Sequence, residues 1–540
     1  MRAVPDVPRR SATTLVLAVL ALVVVPLVPG ALSSGSLTGF VRIPVESLLV
    51  LLVLALLPWR PARIAVASIF GAAVVAAILL AAIDRGYESA LSIRFDPADG
   101  QQLISAFGLV SDALGAPTAI AVVVLVAALA AGTAALLAWS ALRVDAGIRR
   151  HVRAGTAALT GVATVWIVSA LVGTTTTATP VAAAASADAI GSAVSLASAG
   201  ATAQARLVAQ AADDPYARAP ASDLLTALRG KDVVFVFIES YGRSAVEGSS
   251  FAPGVDAVLR QGTADLAAQG YASESAWMTS PTFGGISWLA HSTLQTGLWI
   301  DTQSSYDTIV GTQRFTLSDA FRTAGWRTVS DVPRDTGPWA DGVSFYHYGS
   351  FLDARNSGYR GPSFGYARIP DQYTLKAFAD RELASGHTPV MAEIDLLSSH
   401  TPFAPLPQLE PWDAIGDGSV YAGQPAQGDQ PAAVWEHTES IRTAYGQAIQ
   451  YSVGSLLSFL QNVDDPNLVV VALGDHQPST IVSGSAANHD VPVSIIARDP
   501  AVLKPISGWH WQAGLEPGAA APTWRMDVFR DRFLAAFGPQ

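Results

Sequence analysis

NLVVVALGDH, from Asn467 to His476, is an apolar run rich in β-branched residues that stops on a glycine, a carboxylate and an imidazole. Buried parallel strands read as continuous Val/Ile/Leu runs of this kind. Two other runs share the pattern. DVVFVFI (Asp232–Ile238) stops at Glu239, and PVMAEIDLL (Pro389–Leu397) stops at Ser398, Ser399 and His400. Between them lies FGGISW (Phe283–Trp288), a glycine turn that delivers the Ser287 hydroxyl to the start of a helical stretch. Ligands of open α/β sheets gather at the carboxyl ends of the strands. Three such ends and one placed hydroxyl therefore predict an active site.

The surrounding sequence alternates between helical and strand patterns. Helices are expected over 254–269, 287–296, 316–324, 372–385 and 438–460, and further strands over 326–332 and 491–497. This predicts an α/β domain with a mainly parallel central sheet. The Pro-, Gly- and Gln-rich stretch 402–431 reads as a long surface loop.

Half of the 540 residues are hydrophobic and only 14% are charged. The apolar excess lies before about residue 180, so the expected organisation is a transmembrane domain at 1–178, an Ala-rich extracytoplasmic linker at 179–229 and a catalytic domain at 230–540. Five stretches approach the length of a membrane span: 13–30, 41–57, 64–83, 117–142 and 156–175. The second is shortest and carries Arg42 and Glu46 near one end. Arginines crowd the N-terminus (Arg2, Arg9, Arg10), the loop with Arg60 and Arg63, and the loop with Arg143, Arg149, Arg150 and Arg153. The positive-inside rule puts these in the cytoplasm, and five crossings then leave everything after residue 175 outside. Ala185-Ser186-Ala187 also has the small-residue form of a signal-peptidase site. With no cysteine, disulfides and thiolate chemistry are excluded. A net charge of −11 argues against nucleic acid as a partner. Arginine far outnumbers lysine, and alanine and glycine are abundant, as in a GC-rich bacterial genome.

Glu239, Asp475 and His476 together offer two carboxylates and an imidazole, a set suited to Zn²⁺ or Mn²⁺, although singly each reads as an ordinary cap or turn residue. Ser287 is the candidate fourth ligand and nucleophile, with Ser280 and Thr282 as nearby rivals and a plain helix cap as its bland reading. His400 could protonate a leaving group or bind a non-bridging oxygen, and His489 could do likewise. Arg334, Trp339 and His347 could bind a substrate phosphate or headgroup.

These residues resemble the alkaline phosphatase/sulfatase superfamily, and within it the membrane-bound lipoteichoic acid synthases and phosphoethanolamine transferases. The resemblance covers the plan of five spans, linker and extracytoplasmic domain, but its motifs lie only between about residues 232 and 497. The family's metal-binding glutamate falls on Glu239, and its Gly-Asp-His motif on Gly474-Asp475-His476. Its substrate histidine falls on His400, and its nucleophile on Ser287, where the synthases carry threonine. Leu289 and His291 stand where formylglycine sulfatases have proline and arginine, which argues against that branch. The absence of cysteine weakens the likeness to the phosphoethanolamine transferases, which are typically disulfide-rich.

The resemblance implies one divalent metal, Mn²⁺ or Zn²⁺ with Mg²⁺ a further candidate. It implies a metal-dependent phosphotransferase or phosphodiesterase in the bacterial cytoplasmic membrane, with its multi-pass anchor inside the bilayer and its catalytic domain outside. The expected partners are a phospholipid donor and an envelope glycan or lipid acceptor, with a covalent serine intermediate between them. A sulfate- or phosphate-ester hydrolase is the alternative, and a non-catalytic envelope binding protein the second.

Overall fold

A computed structural model describes residues 9–91, 95, 116–176 and 179–539. The chain divides into two compact units, the first Met1–Ser89 with Ile93–Thr202 and the second Ala203–Gln540 with Ala90–Ser92.

In the first unit, four helices among the described residues are long and apolar enough to cross a membrane: Ala12–Ser34, Arg60–Glu88, Pro117–Arg150 and Val152–Val172. The expected second span is shorter than its apolar run. Its helix covers only Val45–Leu56, 12 residues, or about 18 Å against a hydrocarbon core of about 30 Å. Two prolines set these limits. Pro44 closes an extended segment in which Ile43 pairs with Ala182, and Pro58 follows the extended Leu57 that ends the helix. Ala18, Leu22, Val50, Leu54, Phe70, Val74 and Leu137 form the buried seam of this unit. The Ala185–Ala212 helix follows. Its first turn holds the cleavage-like tripeptide, with Ser186 N–H and Ala187 N–H donating to Glu46 Oε1 at 2.7 and 3.2 Å. Ser186 is 2% exposed.

The second unit is built on a nine-stranded sheet. Its strands are β1 (Asp232–Ile238), β2 (Ala272–Thr279), β3 (Arg327–Val332), β4 (Ser350–Asp353), β5 (Val390–Leu396), β6 (Leu468–Gly474), β7 (Asp490–Ala497), β8 (Gln512–Ala513) and β9 (Thr523–Arg525). The order is β8-β2-β7-β6-β1-β5-β3-β4, with β9 paired to β2. The sheet is mixed, where the sequence pattern predicts a mainly parallel one. β6, β1, β5, β3 and β4 run parallel, but β7 turns back antiparallel on β6 and β2 is antiparallel to β7. A parallel neighbour needs a crossover, usually a helix. The 475–489 connection holds only the short Thr480–Ser483 helix, so β7 returns as a hairpin arm.

Every residue of β1 and β6 is buried, which is why both read as unbroken apolar runs. Val233, Phe235 and Phe237 pack one face against Leu289, Phe321, Phe529 and Phe533. Val234, Val236 and Ile238 pack the other against Val255, Leu259, Ile449 and Phe459. The 402–431 stretch is more than a surface loop. It carries helical turns at Trp412–Ala414 and Ser419–Tyr421 and buries Phe403, Ala404 and Tyr421.

Candidate metal centre and active site

Strand register assembles the site. Gly474 of β6 pairs with Ile238 of β1, and Ile238 pairs with Leu396 of β5. The residues that follow, Asp475, Glu239 and the Leu397–His400 turn, therefore leave the sheet side by side at its carboxyl edge. Gly474 is required there, because a Cβ would lie 1.9 Å from the Tyr241 carbonyl oxygen.

The helix Ser287–Thr296 brings in the hydroxyl. Its approach is unusual: Gly284, Gly285 and Ile286 all have positive φ, at 71°, 154° and 64°. A β-branched residue in the left-handed region is strained. The turn is held by Gly284 N–H donating to the Gln477 carbonyl at 2.9 Å. Ser287 Oγ donates to Glu239 Oε2 at 3.0 Å and lies 3.1 Å from His476 Nε2. The rival hydroxyls are occupied by backbone: Ser280 Oγ donates to the Asp475 carbonyl, and Thr282 Oγ1 to the Gly285 carbonyl.

His476 Nδ1 lies 2.8 Å from the Gln477 carbonyl, so it carries the proton and donates. Nε2 is then left with a lone pair. That nitrogen lies 3.6 Å from Glu239 Oε1 and 3.5 Å from Asp475 Oδ2. Glu239, Asp475 and His476 are 5%, 1% and 0% exposed. Asp475 Oδ1 accepts from Ser240 N–H and His476 N–H, both at 2.7 Å. Ser240 Oγ donates to Glu239 Oε1 at 2.8 Å, and Ser399 Oγ holds the Glu239 carbonyl at 2.6 Å. Burial pushes Glu239 up, but His400 and His476 bring it down to about 2. Burial and the Glu239 charge push Asp475 up to about 6. Two buried carboxylates facing one imidazole lone pair cannot all be satisfied without a proton or a cation. The donor set of Glu239, Asp475 and His476 fits a divalent metal, with the Ser287 hydroxyl beside it.

The remaining sequence candidates divide into two groups. His400 Nδ1 donates to the Thr401 carbonyl at 2.6 Å, which leaves Nε2 unengaged. Burial lowers its pKa, while the Glu239 charge opposes the fall. Its ring stacks on Tyr366 at 3.4 Å and 7°, and the Arg334 guanidinium covers the same tyrosine at 3.6 Å. His489 packs on Phe283 at 5.3 Å, and burial lowers its pKa, with His476 adding to the fall. Trp339 and His347 are held elsewhere. Trp339 packs on Tyr346 and Phe351 and lines a cavity of about 100 Å³. His347 Nδ1 lies 2.9 Å from Asp319 Oδ1, in the capping box of the Leu317–Ala324 helix.

Tyr366 is a site residue that sequence reasoning did not single out, since it stands in a loop with no motif around it. A second omission is a buried charge cluster behind the nucleophile. One turn along the helix from Ser287, His291 stacks on Phe237 at 3.7 Å, with Nδ1 2.9 Å from Glu393 Oε1 and 3.7 Å from Asp395 Oδ1. Burial lowers the His291 pKa, but Asp395 and Glu393 outweigh it and raise it to about 9. Burial raises Asp395 to about 7. The alternation of Glu393 and Asp395 on one face of β5 was a readable signal for this cluster.

The fold and side chains together define an α/β domain with a candidate metal-hydroxyl centre at the sheet's carboxyl edge. No protein family matches the chain by sequence, and no curated protein does. Among solved structures, the chain is similar to the integral membrane lipooligosaccharide phosphoethanolamine transferase A of Neisseria meningitidis, at 14% identity and a TM-score of 0.42, covering 95% of each chain. It is also similar to the lipoteichoic acid synthase LtaP of Listeria monocytogenes, at 16% identity and 0.37, covering 58% of this chain and 74% of that one. A third is the zinc complex of the C-terminal periplasmic domain of EcEptC from Escherichia coli, at 14% and 0.38, covering 57% and 82%. At these TM-scores the likenesses carry neither fold nor activity across to this chain.

Proposed function

We propose that this chain is a membrane-anchored, metal-dependent phosphotransferase that acts on phospholipid headgroups through a phospho-Ser287 intermediate. One observation carries the reading. The Ser287 hydroxyl begins a helix and lies within hydrogen-bond distance of both Glu239 Oε2 and His476 Nε2, inside a buried pair of carboxylates. A divalent ion held by Glu239, Ser287, Asp475 and His476 would supply charge stabilisation and a lowered hydroxyl pKa. The chain's own residues do the rest. Glu239 Oε2 accepts the Ser287 proton. Ser287 Oγ attacks phosphorus, the bond from phosphorus to the lipid alcohol breaks, and His400, carrying a second proton on Nε2 beside the anionic phosphate, gives that proton to the departing oxygen; the acceptor hydroxyl later returns a proton to Nε2, and Glu239 returns its own to Ser287. The Tyr366 and Arg334 stack sets the plane of His400 and adds a cation beside a phosphate. An acceptor hydroxyl then attacks the phospho-serine and restores Ser287.

We also read five crossings, with the short Val45–Leu56 helix as the second. The chain just before this helix is bound to the segment after Val152–Val172: Arg42 Nε donates to the Pro180 carbonyl at 2.8 Å, and Ile43 N–H to the Val181 carbonyl at 2.9 Å. Its end meets the segment before Val152–Val172, where Arg149 Nη2 donates to the Leu57 carbonyl at 2.9 Å. A helix whose two ends match the two ends of a 21-residue span runs alongside that span in reverse. Five crossings leave the metal centre outside, on the side where lipid headgroups and envelope acceptors are met.

The test is incubation of the detergent-solubilised full chain with headgroup-labelled phospholipids and Mn²⁺ or Zn²⁺. Mass spectrometry is expected to find the headgroup phosphate on Ser287. Full lipid turnover by Ser287→Ala would overturn the assignment.

A further inference from the structure

At the opposite end of the sheet, where the central strands begin, three more metal-ligating side chains converge. Asp232 opens β1, His387 lies in the turn before β5, and Asp465 lies in the turn before β6. One ligand atom of each lies within 4.8 Å of the others. The three strands are neighbours, with β1 between β6 and β5.

The arrangement repeats that of His476. His387 Nδ1 donates to the Ala384 carbonyl at 2.8 Å, which directs Nε2 inward. That nitrogen lies 2.9 Å from Asp232 Oδ2. Asp232 is 3% exposed, and its other oxygen is already used, accepting from Val390 N–H at 2.8 Å. Asp465 Oδ1 accepts from Asn467 N–H at 2.8 Å, while its Oδ2 is buried and has no donor. The nearest ammonium does not neutralise the group, because Lys231 Nζ is engaged by Asp499 Oδ2 at 2.8 Å and Asn467 Oδ1 at 3.2 Å. Burial lowers the His387 pKa but Asp232 raises it further, so without a cation Nε2 holds a proton toward Asp232; once that proton leaves, an imidazole nitrogen and two carboxylates are the donor set of a transition-metal site. Asp465 and the His387 side chain, 20% exposed, leave the group open to solvent for water ligands.

We propose that Asp232, His387 and Asp465 form a second divalent-cation site, structural rather than catalytic, that clamps the starts of β5, β1 and β6. The plain alternative is a His387–Asp232 ion pair with an added proton and no metal. The two readings differ in stoichiometry.

The test strips the full-length protein with chelator, adds Zn²⁺ or Mn²⁺ singly, desalts it and counts bound metal by mass spectrometry. Wild type is expected to retain two ions per chain. His387→Gln and Asp465→Asn are each expected to retain one, with lipid turnover unchanged. Asp475→Asn, which alters the first centre, is expected to retain one and lose turnover. Asp465→Asn keeps the oxygen that accepts from Asn467, so it guards against a folding defect in His387→Gln. Added Zn²⁺ should raise the unfolding temperature of Asp475→Asn but have a smaller effect on Asp475→Asn combined with His387→Gln. A single ion in wild type that disappears only with Asp475→Asn, or two ions retained by both His387→Gln and Asp465→Asn, would overturn the proposal. A single ion that disappears only with His387→Gln would instead support this site and overturn the first centre.

Discussion

At the scale of single residues, the site separates groups that would hold metal from groups that orient the imidazole of His400, the proposed proton donor. Glu239 and His476 contact Ser287 directly, and His476 Nε2 faces both Glu239 and Asp475. Tyr366 acts at one remove, through its ring against His400 and under Arg334. Such stacking is worth about 0.5–1.5 kcal/mol. Tyr366→Ala is therefore expected to lower turnover by roughly 2- to 10-fold with bound metal unchanged, and Tyr366→Phe to retain most activity. Equal metal loss in Tyr366→Ala would assign the tyrosine to the centre itself. Ser287→Ala removes the proposed nucleophile, and turnover should fall by about 10³-fold or more. Glu239, Ser287, His400, Asp475 and His476 were legible because each ends or begins a strongly patterned element. Tyr366 was not, because nothing local distinguishes a loop tyrosine that meets a histidine from one that meets water.

At the scale of elements, the Ser287–Thr296 helix and β5 are joined by charge as well as by packing. His291 pairs with Glu393, and Tyr348 OH donates to the same carboxylate at 2.9 Å. The folded His291 pKa of about 9 stands above its ordinary 6.5. The stability it contributes is thus complete below about pH 6.5 and is lost as pH rises through 9. The slope in that window approaches one proton, about 1.4 kcal/mol per pH unit. Denaturant unfolding between pH 6.5 and 9.5 should show this loss, and His291→Gln should flatten it. An unchanged slope in that variant would place the titration elsewhere. The edge of β6 is governed by space instead. Gly474→Ala would drive a Cβ into the Tyr241 carbonyl, and the forced shift should cost about 3 kcal/mol or more while separating Asp475 from Glu239. Thermal unfolding and metal counting on that variant test both effects. The long strands β1, β5 and β6 could be read from their apolar runs, and the helices near them from their periodicity. β2, β4, β8 and β9 could not. Three of them are short edge or near-edge pieces, and β2, polar over Ser273, Glu274 and Ser275, lies between antiparallel β7 and β8 with β9 parallel to its end.

At the scale of the whole molecule, the chain's lack of cysteine makes its topology directly measurable. Single cysteines introduced at exposed Ser250 and Arg60 should respond differently to a membrane-impermeant thiol reagent on intact cells. Ser250→Cys is expected to label from outside and Arg60→Cys only after permeabilisation. The reverse pattern would overturn the five-crossing reading. Composition alone divided an apolar N-terminal part from a more polar C-terminal part, because hydrophobic density is a property of contiguous residues. It overestimated the Val41–Leu57 span, because an apolar run does not reveal that Pro44 and Pro58 bound a helix of 12 residues. The sequence by itself determined the buried strands, the glycine turn before Ser287 and the chemical groups at the strand ends, all of which are set by short-range pattern. Only the tertiary structure decided that Gly474 registers with Ile238, that β7 turns back on β6, and that Asp232, His387 and Asp465 meet at the far end of the sheet. Those outcomes depend on which residues pair, across 236 positions for Gly474 and Ile238 but only 20 for Leu473 and Val493, and strand register and packing settle that where local pattern does not encode it.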